Sequence, residues 1–259
     1  MTSRPRDLLR DVRPGDRWLV AVAHPDDESF GCGSTIAAAS ARGAEVTVVC
    51  ATRGEAGEAG PGFPADGNLG AVREAELRRA AAHLGVARVE LLGYRDSGFD
   101  GAAAPGSLCD APVAEVAGML AALVAAVDPA VVVVLDGSDG HRDHLQVRAA
   151  TRAALETTAA GPALYEFCLP NSLLRRWLDE MRLVRPDTAY HALDPAALGR
   201  DDADITHVLD TTDVLDRREA AIAEHRSQTS PFDGLSDDLR RAFLATDHLA
   251  EVALSRHPA

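Results

Sequence analysis

Trp18-Leu-Val-Ala-Val-Ala-His24-Pro25-Asp26-Asp27-Glu28 is a short apolar run that stops at a histidine and three carboxylates. A run of this length, closed by a proline, reads as a buried strand. The pattern recurs far along the chain, where Val131-Val-Val-Val-Leu135 runs into Asp136-Gly-Ser-Asp139-Gly-His141-Arg142-Asp143-His144. Both clusters therefore fall at the ends of buried parallel strands. In an open α/β sheet those ends line one crevice, and ligands bind there. Carboxylates set this closely repel one another unless a cation compensates them, so packing alone accounts poorly for two such clusters.

Strand and helix alternate outward from these points. Residues 17–23 read as the first strand, Ser29 to Ala41 as a helix and Glu45 to Ala51 as the second strand. Residues 52–67 are too rich in Gly and Pro for a helix or a central strand, and read as a loop on the His24 side of the sheet. A helix from Ala71 to Leu84 ends at Gly85, a good C-cap. Val89–Leu92 is a strand, Gly93 to Asp110 a second open loop, and Pro112 opens a helix to Val127. After Val131–Leu135 the pattern predicts a helix over Asp143–Thr158 and a strand over Leu164–Cys168. It then predicts an amphipathic helix over Ser172–Leu183, a strand over Ile205–Leu209 and a helix over Asp213–Ser227. No internal repeat appears. The expected class is α/β, a Rossmann-like three-layer α/β/α arrangement with a mostly parallel sheet. At 259 residues we expect one domain over 1–259, with 170–205 as a variable segment that walls a substrate pocket or forms an interface.

With 46% hydrophobic and 25% charged residues, the chain can build a core that needs no covalent staples. A net charge of −14 argues against a phosphate-backbone partner, which needs clustered cations. The chain has no Lys, which fits a GC-rich codon bias better than a functional cause. Cys32, Cys50, Cys109 and Cys168 form no C-x-x-C pair and read as reduced thiols of a cytoplasmic protein. The first residues lack an apolar signal core, and no apolar run approaches the roughly 18 residues that span a bilayer. The expected partner is a small molecule, with no nucleic acid and no membrane; a homo-oligomer is left open.

His24 and Asp27 stand three apart, and His144 is expected beside them in space. Two imidazoles and one carboxylate form a ligand set that catalytic zinc uses, with a further position for water. Ferrous iron or cobalt suits the same set, so the spacing does not fix the metal. Asp26 should face away from the metal, within reach of its water, as a general base. His141 is placed to donate a proton or stabilise an oxyanion, with Asp143 as its orienting partner. Simpler readings compete: a His beside an Asp at a strand end is often structural, and Asp143 could merely cap a helix. Gly31-Cys32-Gly33 suggests a dinucleotide loop, but Ile36 fills the third glycine position and the acids crowd the pyrophosphate site.

At these residues the chain resembles the PIG-L/LmbE-like family of zinc-dependent N-acetylglucosamine deacetylases. The opening A-H-P-D-D-E pattern lies at 23–28, and His-x-Asp-His is matched by His141–His144. Four weaker matches follow in order: Thr52-Arg-Gly-Glu55, Arg73-Glu-Ala-Glu76-Leu77, Leu92-Gly-Tyr-Arg-Asp96 and His225-Arg-Ser-Gln228. The resemblance implies His24, Asp27 and His144 as zinc ligands, Asp26 as general base and His141 as the acid or electrophilic group backed by Asp143. It also implies that Arg73 and Asp96 reach toward sugar hydroxyls, with Glu55, His225 and Gln228 on the substrate side. Two departures stand out. Arg142 replaces the usual proline of His-Pro-Asp-His, and Asp139 stands where members of the mycothiol pathway carry a tyrosine. The second favours a different acylated substrate.

The expected function is therefore a metal-dependent hydrolase that removes an N-acyl group from an amino sugar, glycoside or related metabolite. An amidase acting on a thiol conjugate or natural-product intermediate is one alternative. A non-catalytic sugar- or nucleotide-binding module is another.

Overall fold

The computed structural model describes residues 7–60, 63, 67–99, 101–157, 161–185 and 192–255. Seven strands form one sheet in the order β3-β2-β1-β4-β5-β7-β6. They are β1 Arg17–Val22, β2 Glu45–Cys50, β3 Arg88–Leu91, β4 Val131–Leu135, β5 Ala163–Cys168, β6 His207–Asp210 and β7 Thr246–Val252. The first five run parallel, with Trp18 opposite both Val46 and Val131. The order reverses between β1 and β4, so their carboxyl ends frame the crevice where such sheets take ligands.

Strands β4 and β1, the latter from Trp18 onward, are apolar because both faces are covered. Trp18, Val20 and Val22 of β1 join Val46, Val48 and Val133 on one face, against Ile36 of α2 (Gly33–Ala41) and Leu77 and Leu84 of α3 (Leu69–Leu84). Leu19 and Ala21 join Val132 and Val134 on the other, against Leu120 of α4 (Val113–Val127) and Val147 of α5 (Arg142–Glu156). Each large aliphatic buried in this way contributes about 1.5–3 kcal/mol. The result is a three-layer α/β/α arrangement. Helix α3 starts on Asn68, whose side chain accepts from Ala71 N, and stops at Gly85 with φ +77°. A third cluster joins Leu173 and Leu174 of α6 (Asn171–Val184), Ile222 of α7 (Leu215–Ile222) and Leu239 and Phe243 of α8 (Asp237–Leu244).

Three departures from the sequence reading bear on the site. The first expected helix is two: a single turn, α1 (Asp27–Phe30), breaks at Gly31 before α2 begins. A Cβ on Gly31 would fall 2.7 Å from the Asp27 carbonyl, so the turn closes only around a glycine. The expected helix over 213–227 is limited to α7, which leaves His225 and Gln228 in the turns beyond it. Helix α8 and strand β7 were not anticipated, and β7 inserts antiparallel between β5 and β6. Of the 170–205 segment, α6 is seen to pack into the third cluster, and residues 186–191 lie outside the described residues.

Candidate metal centre and active site

The strand end at β1 delivers His24, and the α1 turn folds Asp27 back under it. Asp27 Oδ2 accepts from Ala23 N at 3.1 Å and His24 N at 2.8 Å, and lies 3.6 Å from His24 Nδ1. Its other oxygen is 3.2 Å from His144 Nε2, on the first turn of α5. His144 Nε2 is buried and makes no well-formed hydrogen bond, although Asp27 Oδ1 lies 3.2 Å away. A buried imidazole nitrogen held beside a carboxylate without such a bond is what a shared cation would resolve. Ligand atoms of His24, His141 and His144 also lie within 4.8 Å of one another. These residues can hold a metal ion.

Each imidazole of the expected ligand set is held on its far nitrogen by a carboxylate. Asp139 Oδ2 lies 2.7 Å from His144 Nδ1. Asp143 Oδ2 lies 3.2 Å from His24 Nε2, with Asp96 Oδ1 at 3.6 Å. His24, Asp96 and Asp143 form a second group of possible ligands. We read it as support rather than as the site, since its oxygens are already engaged. Asp143 accepts from Ser97 N and Cys109 Sγ, both at 3.0 Å, and Asp96 accepts from Gly98 N at 2.8 Å. Carboxylates behind ligating histidines fix ring orientation and raise basicity. Asp139→Ala is therefore expected to weaken metal affinity about 10–100-fold with the fold intact, as metal titration would show.

Asp143 does not orient His141 as expected. Only its backbone N–H meets that ring, donating to His141 Nδ1 at 3.2 Å, so His141 serves as the N-cap of α5. An Nδ1 that accepts carries no proton, which leaves Nε2–H as the free donor of the ring. Burial, and then the His24 and His144 rings, press the His141 pKa down to about 4.

Asp26 sits at φ 126°, ψ −29°, a conformation foreign to most non-glycine residues. Its N–H donates to Glu28 Oε2 at 2.9 Å, its carbonyl accepts from Ser29 N at 2.9 Å and Phe30 N at 2.7 Å, and Arg73 Nη2 donates to its Oδ2 at 2.9 Å. Burial pushes its carboxyl up to about 6; the Arg73 guanidinium opposes this, and the Asp27 carboxylate adds to it. Burial also works against the Asp27 carboxylate, but His144 and His24 hold it well below the usual range.

The expected substrate residues divide. Arg73 does not face open space: it is buried and also donates to Pro25 O and Gly54 O, both at 2.7 Å. A Cβ on Gly54 or Gly57 would fall on this guanidinium, which explains the glycines of the 52–57 loop. The Asp96 carboxylate is buried beside His24, and His225 is buried with Nε2 2.7 Å from Glu28 Oε1. Glu55 is exposed, and the half-buried Gln228 donates to Ser227 Oγ at 2.8 Å. The sequence reading passed over Glu28, Asp139 and Ser227, whose hydroxyl donates to the buried Glu76 at 2.6 Å. The run 24–28 and the Asp139 departure were the available signals. Cys109 is the cysteine at the site; burial and Asp143 push its thiol pKa up to about 11.

Among the described residues no helix is long and apolar enough to cross a membrane. The N,N'-diacetylchitobiose deacetylase of Pyrococcus horikoshii has the same fold, with a TM-score of 0.64 at 19% identity over 97% of this chain and 87% of that one. A 4-carboxy-2-hydroxymuconate hydratase from Pseudomonas putida is similar too, at a TM-score of 0.60 and 21% identity over 94% of this chain and all of the other. The fold alone therefore does not dictate the reaction. In sequence, the 1D-myo-inositol 2-acetamido-2-deoxy-alpha-D-glucopyranoside deacetylase of Thermobispora bispora is 36% identical over 89% of this chain and 86% of its own length. Residues 19–155, from β1 through most of α5, match the family described as PIG-L, GlcNAc-PI de-N-acetylase, and the chain belongs to that family.

Proposed function

We propose that this protein is a zinc-dependent hydrolase that removes the N-acetyl group from a 2-acetamido-2-deoxyglucoside. His24, Asp27 and His144 would hold the ion, and the buried, unbonded Nε2 of His144 facing Asp27 is the observation that carries the reading. A divalent ion there supplies Lewis acidity for the amide carbonyl and for water. Asp26 takes a proton from the attacking water and returns it to the departing amine. Arg73 and Glu28 keep that carboxylate in its strained pose, so little reorganisation is needed at reaction. The Nε2–H of His141 donates to the oxygen on which negative charge develops. The inositol glucosaminide named for the 36% identical relative heads the candidate substrates.

Metal analysis of the purified chain, followed by deacetylation of a panel of free N-acetylglucosamine, its glycosides and the inositol glycoside, tests the reading. Stoichiometric zinc and amine release are expected. Chelation is expected to abolish turnover, and zinc to restore it. A purified chain without metal that binds sugars but releases no acetate would refute the assignment and favour a binding module.

A further inference from the structure

Phe99 is exposed to 64%, and among the described residues no other Phe, Tyr or Trp is exposed. A single apolar side chain in water needs no special cause. This one is fastened in place. Its ring centroid lies 5.5 Å from that of His141 at 76°, an edge-to-face contact at the mouth of the metal centre. The backbone around it is tied on both sides to the start of α5. Before it, Ser97 N donates to Asp143 Oδ2 at 3.0 Å. Around it, Arg142 Nε donates to Gly98 O at 2.7 Å and Nη1 to Gly101 O at 2.8 Å. Gly98 and Gly101, at φ +67° and +77°, let the chain turn under that guanidinium. Arg142 is the residue that departs from the proline of the family motif, and a proline could make neither bond.

We propose that Phe99 is a specificity residue that packs on an apolar aglycone of the substrate, and that Arg142 is its positioning residue. The inference rests on the deacetylase reading above. The proposed ligands His24 and Asp27 are buried, whereas Phe99 is exposed beside His141, so a substrate whose amide reaches that ion extends toward solvent past Phe99. Burying an exposed phenyl against an alkyl aglycone adds ground-state and transition-state binding alike, so the effect belongs in KM.

The test uses the metal-loaded full chain with free N-acetylglucosamine, its methyl glycoside and its octyl glycoside. Phe99→Ala is expected to raise KM for the octyl glycoside roughly five- to tenfold. Its kcat should stay within about twofold, and free sugar should be affected least. Phe99→Trp should keep the wild-type KM. Arg142→Ala should reproduce the Phe99→Ala pattern, and the double variant should be no worse than Phe99→Ala alone, since one acts through the other. An unchanged KM across the series in Phe99→Ala overturns the proposal. So does an equal KM rise for all three sugars, which would put the ring on the sugar itself and not on the aglycone. Additive effects of the two substitutions remove Arg142 from the proposal. Failure of the wild type on all three sugars and on the inositol glycoside, with metal bound, refutes the deacetylase reading itself and this inference with it.

Discussion

Asp26→Asn is expected to lower kcat by about 10²–10⁴-fold while metal content and melting temperature hold. The amide keeps the volume of the carboxyl and can still accept from Arg73, so the strained turn should persist. What it loses is a basic oxygen. Burial already costs this carboxylate its ordinary stability as an anion, and such a group is a better proton acceptor than one in water. Zinc stoichiometry and single-turnover rates measured together would check the prediction. Retained turnover with full metal content would assign the base to another residue. Lost metal would show that Asp26 is a ligand rather than a base.

Arg218→Met should destabilise the protein by about 3–5 kcal/mol, because it strips one partner from a buried ion pair. Arg218 is 1% exposed and its guanidinium is saturated. It donates to Ser29 O at 3.1 Å, to Phe30 O and Gly31 O at 2.7 Å, and to Asp247 Oδ1 at 2.9 Å. The three carbonyls are the open end of α1, the turn that carries Asp27. Asp247 Oδ2 meanwhile accepts from Thr35 N and Thr35 Oγ1, both at 2.7 Å. Denaturant unfolding would read the loss. Adding Asp247→Leu should recover part of it, since the stranded carboxylate is then removed as well. A change below about 1 kcal/mol would mean that water replaces the guanidinium and that the clamp is dispensable.

The parallel half of the sheet was legible because its strands are short, β-branched and buried on both faces, as in Val131–Leu135. Strand β7 was not. Thr246-Asp-His-Leu-Ala-Glu-Val mixes buried and polar positions, and Asp247 lies inside only because Arg218 meets it. Helix α8 announced itself by Ser236, whose hydroxyl caps Leu239 N, but eight residues carry too little periodicity to stand out. At the site, the residue types and the meeting of two strand ends could be read from the sequence, but side-chain direction could not. His141 and Asp143 are two apart at a helix start, and side chains at that spacing do not face each other. The Asp143 carboxylate therefore turns to His24 instead. Arg73, Asp96 and His225 were expected on the substrate side, and their protein partners Pro25, His24 and Glu28 could not be read from adjacency, which says nothing about which way a group points. The GlcNAc-inositol names of the relatives fit the family reading; the tyrosine-to-Asp139 departure marks a carboxylate given to His144.

The clamp on α1 also sets an order of events during synthesis. The motif at 24–31 leaves the ribosome early, yet the guanidinium and carboxylate that seat it stand at 218 and 247. A nascent chain of 200 residues would hold every proposed ligand and the proposed base in its sequence, but not the parts that lock the turn. Contacts this distant form late and slow folding. Competence to bind metal should therefore appear only once the final strand has docked between its neighbours, and chains cut short of it should stay inert however much zinc is offered.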